Sequence, residues 1–174
     1  MTGNPRRALG IATALALLAA GSAEASTRSS SREGQERLIA QCIREASDKR
    51  AWLEKTLWGL RDQEAGWVGA EIANRDGSHD LGPLQINSWW IPKLAAATGR
   101  SPSSIRWWLK HDACFNVRTA RWIFLSGLAV TGDYWKAVGA YHSPTNWRQR
   151  RYAFAVARRM QWRAVHSAPV VPRQ

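Results

Sequence analysis

The amino-acid sequence predicts a mainly α domain with one short β-hairpin or loop layer inserted into it. Apolar residues recur at three- and four-residue spacings through residues 36–64, as on one face of a helix. The helical spacing of apolar residues stops between residues 70 and 87, where Asp76-Gly77 is a strong turn signal. Helical patterning resumes at Ser88, so the β element is an insertion between helices.

Local signals set the bounds of the helices. Residues 36–64 predict two helical segments with a break near residues 47–50, and Ala65-Gly66 ends the second, since Gly is the usual residue just past a helix C-terminus. Ser101-Pro102 supplies a cap and a first-turn proline for a later helix, and Asp112 or a residue near it caps the helix that follows. The last helix carries an apolar packing stripe made of Tyr152, Val156 and Met160.

The N-terminus has the pattern of an export signal. Arg6 and Arg7 precede an uncharged apolar run over residues 8–21, and small residues then predict cleavage after Ala25, so that residues 1–25 are a signal peptide. The run is shorter than the roughly 20 apolar residues that favour a spanning helix, so a retained membrane anchor is the weaker alternative. We therefore expect a periplasmic protein with no stable membrane span after cleavage.

The remaining length fits one domain, for which we expect a monomer. Residues 26–35 are polar and serine-rich and predict a flexible lead-in. Residues 36–166 predict the folded domain, without internal repeats, and residues 167–174 predict a disordered tail.

The chain is strongly basic, with a formal net charge of +12 at pH 7. A basic protein attracts polyanions. For an exported protein we expect cell-wall polymers with carboxylates or phosphates, or membrane surfaces, and no nucleic acid, although the arginine-rich last helix has the charge for it. A merely solvated surface is the alternative explanation for the charge.

Cys42 and Cys114 are the only cysteines, and an isolated pair in an oxidising compartment predicts a disulfide. Closing so long a loop adds roughly 4 kcal/mol to stability in the chain-entropy model. We expect no metal and no cofactor, because two distant cysteines and scattered histidines match no zinc pattern.

Glu64 stands where an apolar residue belongs. It continues the stripe of Leu53, Leu57 and Leu60, and a carboxylate is almost never fully buried without a partner. Its pKa should rise there, since burial disfavours the charged form, and a carboxyl group still protonated near neutral pH can act as a general acid. A structural Glu64 that reaches solvent from the last helical turn is the alternative.

The polar loop that follows Glu64 has the composition of a sugar-binding surface. Its glycines let the backbone approach a ligand closely, and Trp89 and Trp90 come next in the chain. Polar groups can bind the hydroxyl and acetamido groups of a sugar while flat apolar rings cover its faces. A rigid turn layer with core tryptophans is the alternative. The candidate polar residues are Ser78, Asp80, Gln85 and Asn87.

Four short motifs follow one another along the chain between about Cys42 and about Met160. They are Glu64-Ala65 at a helix end, the loop GSHDLGPLQIN from Gly77 to Asn87, Asp112-Ala113-Cys114-Phe115-Asn116, and Ala140-Tyr141-His142-Ser143. In this order they resemble the motifs of the lytic transglycosylases of the goose-lysozyme-like superfamily. The resemblance is to the small exported members that accompany conjugative and type III secretion systems.

The resemblance implies a lysozyme-like α+β fold with the hairpin inserted after the catalytic helix. It implies that Glu64 is the catalytic acid, that Gln85 and Asn87 line the sugar cleft, and that Tyr141 faces the acid. Ser78 belongs to the same loop, and we expect it to bind substrate as well.

The sequence also departs from the family pattern. Ala65 replaces a serine and so removes a hydroxyl beside the acid. Pro83-Leu84 replaces Leu-Met, which preserves apolar character and stiffens the loop, and Ala113 replaces a proline. Cys42 and Cys114 match the disulfide pair of the exported subgroup.

The reaction implied by the resemblance is cleavage of the β-1,4 bond between N-acetylmuramic acid and N-acetylglucosamine in peptidoglycan. The products carry 1,6-anhydromuramoyl ends, and the wall is opened locally for a secretion or conjugation apparatus. One carboxyl group suffices, because the nucleophile belongs to the substrate, whereas ordinary glycosidases need two. Two alternatives stay open: a hydrolytic muramidase with Asp80 as the second carboxylate, and a noncatalytic wall-binding or assembly component.

Overall fold

The computed structural model describes residues 29–166. The predicted signal peptide, residues 1–25, and the predicted tail, residues 167–174, lie outside the described residues. The chain divides into two compact units, Met1–Arg37 and Leu38–Gln174.

The described part of the first unit is helical. Residues 29–37 form helix, and Glu33 pairs with Arg37 one turn later at 3.9 Å. The structure differs here from the flexible lead-in predicted over residues 26–35. Opposite charges four residues apart favour helix, and here this pairing acts against the serine-rich composition.

The second unit is mainly helical, with a short β insertion. Its described helices are α1 (38–47), α2 (Ala51–Glu64), α3 (Ile91–Thr98), α4 (Pro102–His111), α5 (Ala113–Thr131), α6 (Tyr134–His142) and α7 (Asn146–His166). The insertion comprises β1 (Glu71–Ala73), β2 (His79–Leu81), β3 (Ile86–Asn87) and a 3-10 helix (Ser88–Trp90). The predicted mainly α, lysozyme-like class is thereby confirmed. Across the part of the chain that the structure describes, no helix is long and apolar enough to cross a membrane.

The predicted helix caps are present. The Ser101 hydroxyl accepts a hydrogen bond from the Ser104 N–H at 3.2 Å, with Pro102 in the first turn of α4. Asp112 accepts one from the Phe115 N–H at 2.9 Å at the start of α5. Each cap satisfies a backbone donor that a helix N-terminus leaves unpaired.

Residues with left-handed backbone end the first two helices. Asp48 and Lys49 have φ angles of 51° and 59° and form the predicted break between α1 and α2. α2 ends at Ala65, with φ 51° and ψ 25°. The sequence predicted that Ala65-Gly66 ends this helix, and the residue with the left-handed backbone is Ala65 rather than the glycine. A residue with a Cβ pays about 1 kcal/mol for it.

The three strands form an antiparallel sheet in the order β1-β2-β3, in which Asp80 lies opposite Asn87. Glu71 ties the edge of this sheet to α4. Its carboxylate accepts hydrogen bonds from Lys110 Nζ at 2.8 Å and from Arg106, and these lower the pKa of Glu71 to about 2. The hairpin is therefore fixed against a helix on one side.

α7 packs against both α2 and α6. Gly59 allows the approach to α2, because a Cβ there would lie 2.5 Å from Met160 Cγ and 3.0 Å from Val156 Cγ1. Further along, Arg163 donates two hydrogen bonds of 2.6 Å to the Asp62 carboxylate. The predicted stripe on α7 faces inward and consists of Tyr152, Val156 and Met160.

The predicted disulfide is present. Cys42 of α1 is bonded to Cys114 of α5, across a sequence separation of 72 residues and with 4.8 Å between the Cα atoms. It links the start of this unit to the helix at its centre.

Asn116 of α5 anchors the turn between β2 and β3. Its side chain is fully buried and accepts a hydrogen bond from the Leu84 N–H at 2.9 Å. Its amide nitrogen donates to the carbonyls of Leu81 and Leu109, each at 2.8 Å. One side chain thus satisfies three buried backbone groups of the turn and of α4.

We expect Asn116→Ala to lower the free energy of unfolding by about 3 kcal/mol, because three buried backbone groups lose their partner. Urea unfolding followed by circular dichroism measures the change. Asn146→Ala, the same substitution at an exposed position, should change stability by less than about 0.5 kcal/mol. Equal effects of the two substitutions would contradict the anchoring role.

Candidate active site

Glu64, the last residue of α2, lies in the wall of a pocket of about 450 Å³. Asp80 of β2 lines the same pocket. The structure also brings all the predicted substrate-binding residues into this wall: Ser78, Gln85, Asn87 and Tyr141. Side chains from α2, the hairpin and α6 therefore meet at one place.

The surroundings of Glu64 raise its pKa from 4.5 to about 7. Burial is the largest cause, since it disfavours the charged form. A hydrogen bond from Tyr152 acts against this shift, and the negative charge of Asp80 adds to it. The rise agrees with the prediction from the apolar stripe. Near neutral pH the carboxyl and carboxylate forms are comparably populated.

A hydroxyl from α7 reaches the acid. Tyr152 is 6% exposed and donates a hydrogen bond to Glu64 Oε1. Its ring stacks on His142, with 4.7 Å between the centroids and 4° between the planes. The sequence placed Tyr152 in the packing stripe and missed this contact. A signal existed, since a buried tyrosine hydroxyl usually has a hydrogen-bond partner.

Tyr141 lies beside the acid and supports the hairpin. Its hydroxyl donates to the Leu84 carbonyl at 2.9 Å, and its ring stacks on Tyr152 at 6.4 Å. Burial and then the charge of Glu64 raise the pKa of Tyr141 well above its usual value. Tyr141 therefore remains a neutral wall of the pocket, while the hydroxyl that contacts Glu64 belongs to Tyr152.

Three of the predicted polar residues brace one another. The Asn87 amide donates to Ser78 Oγ at 2.9 Å and to Asp80 Oδ1 at 3.0 Å. Ser78 is 3% exposed, and its hydroxyl donates to Asp76 Oδ1 at 2.7 Å. Ser78 and Asn87 thus hold the shape of the hairpin, and Asn87 fixes the Asp80 carboxylate in the pocket wall.

Gln85 is held close to the end of α2. It has a φ of 46°, and its side-chain amide donates to the Gly82 carbonyl at 2.8 Å. A Cβ at Gly66 would lie 2.3 Å from the Gly82 oxygen and 2.8 Å from Gln85 Nε2. Glycine is therefore required at position 66 by the close approach of this loop, which brings Gln85 into the pocket of Glu64.

Ala65 stands where the lytic transglycosylases that the sequence resembles have a serine, but Glu64 keeps a hydroxyl donor. Ala65 is exposed, and its left-handed backbone ends α2. The donor to Glu64 comes from Tyr152 on a different helix. The supporting hydrogen bond therefore depends on tertiary packing rather than on the residue next in sequence.

Aromatic and cationic side chains complete the pocket. Trp90 lines it and packs edge-on against Trp122, with 5.4 Å between the centroids, whereas Trp89 is 68% exposed and is not part of the wall. Arg75 and Arg148 also line the pocket, and the sequence predicted neither. The arginine-rich pattern of the last helix gives no indication of which arginine faces a site.

No group of three or more His, Cys, Asp or Glu side chains within residues 29–166 is placed to hold a metal ion. The pocket presents a carboxyl group that can release and recover a proton near neutral pH, two further carboxyl groups, two guanidinium groups and several hydrogen-bonding amides. Such a surface suits acid–base chemistry on a polar ligand.

No protein-family model matches the chain. Over 102 residues it is 34% identical to the invasion protein IagB of Salmonella typhimurium strain SL1344, a match that covers 56% of this chain and 61% of that protein. The proteins of the same name from strain LT2 and from Salmonella typhi match with the same identity and coverage. The chain thus spans about three fifths of the length of the curated relatives that it matches.

We expect Tyr152→Phe to raise the pKa of Glu64 above 7, because the hydrogen bond that favours its carboxylate is lost. Carbon-13 NMR titration of the Glu64 carboxyl group measures this pKa. Tyr134→Phe is the matched control, since its hydroxyl pairs with Thr56 at 2.7 Å. An unchanged pKa in Tyr152→Phe would remove this hydrogen bond from the account of Glu64.

The raised pKa of Glu64 also predicts how stability depends on pH. As the pH rises from about 4.5 to about 7, the unfolded chain loses the Glu64 proton while the folded chain keeps it, so stability should fall by at most about 3 kcal/mol and then level off. Glu64→Gln should abolish that part of the fall and be more stable than the wild type at pH 8. Urea unfolding at pH 5 and pH 8 measures both, and Glu45→Gln, at an exposed position of α1, should retain the wild-type fall.

Proposed function

We propose that the protein is a peptidoglycan lytic transglycosylase. The observation that carries the proposal is the state of Glu64, a carboxyl group with a pKa of about 7 at the end of α2 in a polar pocket. The resemblance of the four motifs to lytic transglycosylases supports it. The substrate is the glycan strand, cut at the β-1,4 bond between N-acetylmuramic acid and N-acetylglucosamine.

In the first step Glu64 acts as the general acid. Its proton passes to the oxygen of the glycosidic bond, the bond between C1 of the muramoyl residue and that oxygen breaks, and the N-acetylglucosamine end leaves as an alcohol. Positive charge builds on C1 and its ring oxygen. The Glu64 carboxylate that forms lies beside that charge and stabilises it.

In the second step the Glu64 carboxylate acts as the general base. It accepts the proton of the muramoyl 6-hydroxyl while that oxygen forms a bond to C1, which gives the 1,6-anhydro product and restores the protonated acid. A pKa near 7 suits both steps, because neither protonation state is strongly disfavoured near neutral pH. The Tyr152 hydroxyl holds the carboxyl group in place and favours the carboxylate between the steps.

A hydrolytic muramidase is the second candidate, and the position of Asp80 favours it. Asp80 lines the same pocket, and its charge acts on Glu64, so it could activate a water as the second carboxylate. The hydrogen bond from Asn87 to Asp80 supports instead a role in holding the hairpin. A noncatalytic wall-binding component would keep the fold without needing the raised pKa of Glu64.

The cellular setting is proposed from three features. The predicted signal peptide and the Cys42–Cys114 disulfide support a periplasmic protein. The similarity to proteins named for invasion supports local opening of the wall for a secretion or conjugation apparatus. We propose a monomer that needs no cofactor.

We expect digestion of purified peptidoglycan sacculi to release fragments with 1,6-anhydromuramoyl ends, as measured by mass spectrometry. Glu64→Gln should lower the rate by at least about 100-fold, because the amide cannot transfer a proton. Asp80→Asn should retain anhydro products, because the nucleophile is the substrate's own hydroxyl.

Two outcomes would contradict the proposal. Fragment ends that have gained water would indicate the muramidase, in which Asp80→Asn should be as inactive as Glu64→Gln. Absence of any cleavage by a folded wild-type protein would favour the noncatalytic component.

A further inference from the structure

A second pocket, of about 310 Å³, adjoins the first on the side of α7. Glu64, His142 and Arg148 line both pockets, so the two pockets lie next to each other at the acid. The second pocket is otherwise lined by residues of α2 and α7: Gln63, Trp147, Arg151, Tyr152 and Ala155.

The charge of this second pocket is positive. Arg148 and Arg151 lie in the first turns of α7, and neither forms an ion pair with any residue between 29 and 166. Glu64 is the one carboxyl group in its wall, and that group is largely neutral below pH 7. Two guanidinium groups therefore share a small pocket with one carboxyl group, so the pocket keeps an excess of positive charge in either protonation state of Glu64.

The walls of the second pocket are ordered. Tyr152 is buried and carries the stacked His142 ring on its face. Burial is the largest cause that lowers the pKa of His142; the charge of Asp80 acts against this shift, and the charge of Arg148 adds to it. The Arg148 guanidinium lies 5.4 Å from the centroid of the Trp147 ring, which positions it by a cation–π contact.

We propose that this second pocket binds a carboxylate of the peptide that substitutes the muramoyl residue, while the first pocket holds the glycan. The inference rests on the proposed function. The sugar backbone of the strand is uncharged where its lactyl groups are joined to peptide, so the anions near a bound glycan are the peptide carboxylates. Guanidinium groups bind carboxylates through strong charge-assisted hydrogen bonds, and Arg151 lines a pocket that shares Glu64 with the first, next to where the muramoyl residue would be cut.

General attraction between a basic protein and an anionic polymer is the competing explanation, and the chain offers a matched control for it. Arg150 is the neighbour of Arg151 and is exposed as well, but it lines a different pocket together with Asp133 and Lys136. Arg150→Gln and Arg151→Gln remove the same charge one residue apart. Only the second removes a guanidinium from the pocket next to the acid.

The test measures binding separately from cleavage. Glu64→Gln in the full chain is titrated by calorimetry with soluble peptidoglycan strands, either intact or with their peptide carboxylates converted to amides by carbodiimide and ammonia. Amidation should weaken binding about tenfold, the scale of one charge-assisted hydrogen bond. Adding Arg151→Gln should weaken binding of intact strands by a similar factor and abolish the preference for them, whereas adding Arg150→Gln should preserve that preference.

Each other result has a defined meaning. Equal binding of intact and amidated strands, or equal losses in Arg150→Gln and Arg151→Gln, would overturn the carboxylate site while leaving cleavage by the wild type intact. A preference for intact strands that depends on Arg151, in a protein whose wild type releases no anhydro products, would support the site and overturn the transglycosylase proposal.

Discussion

The close packing of α7 against α2 is the constraint on which the candidate site depends. Gly59 lets the two helices approach, and the paired hydrogen bonds between Arg163 and Asp62 fix their register further along. That register places the Tyr152 hydroxyl on Glu64. A larger residue at position 59 would push α7 away and lengthen the contact at the acid, although position 59 lies more than one helical turn from it. The geometry of the candidate site therefore depends directly on core packing.

The pKa of Glu64 results from opposed effects that this packing sets together. Covering the end of α2 excludes water and favours the neutral acid, and the same helix supplies the Tyr152 hydroxyl, which favours the carboxylate. Burial alone would hold the proton too firmly for the group to act as a base afterwards. A hydroxyl alone, in contact with solvent, would leave an ordinary carboxylate with no proton to give at neutral pH.

Local signals predicted most of the fold, because they act within a few residues. The caps Ser101 and Asp112 lie next to the donors they satisfy, and Glu64 could be identified because it interrupts a stripe on its own helix. The contact of Tyr152 could not be predicted in this way, since it joins positions 88 residues apart. The left-handed backbone of Ala65 could not be predicted from the neighbouring residues. The glycine that would usually adopt it stands one position later, at Gly66, where the loop after α2 approaches too closely for a side chain. That approach is a contact of the folded chain.

The positive charge of the chain shows the same limit of local reasoning. Arg163 is neutralised by Asp62 of α2 and Arg106 by Glu71 of β1, partners that lie far away in sequence. The net charge of the sequence includes these arginines and Arg148 alike. The folded structure shows that Arg163 joins two helices, whereas Arg148 lines the pockets at Glu64. A net charge can draw the protein to an anionic polymer from any direction. Guanidinium groups fixed beside Glu64 act at one place, so under the proposed function they would help to determine which part of the polymer reaches the acid.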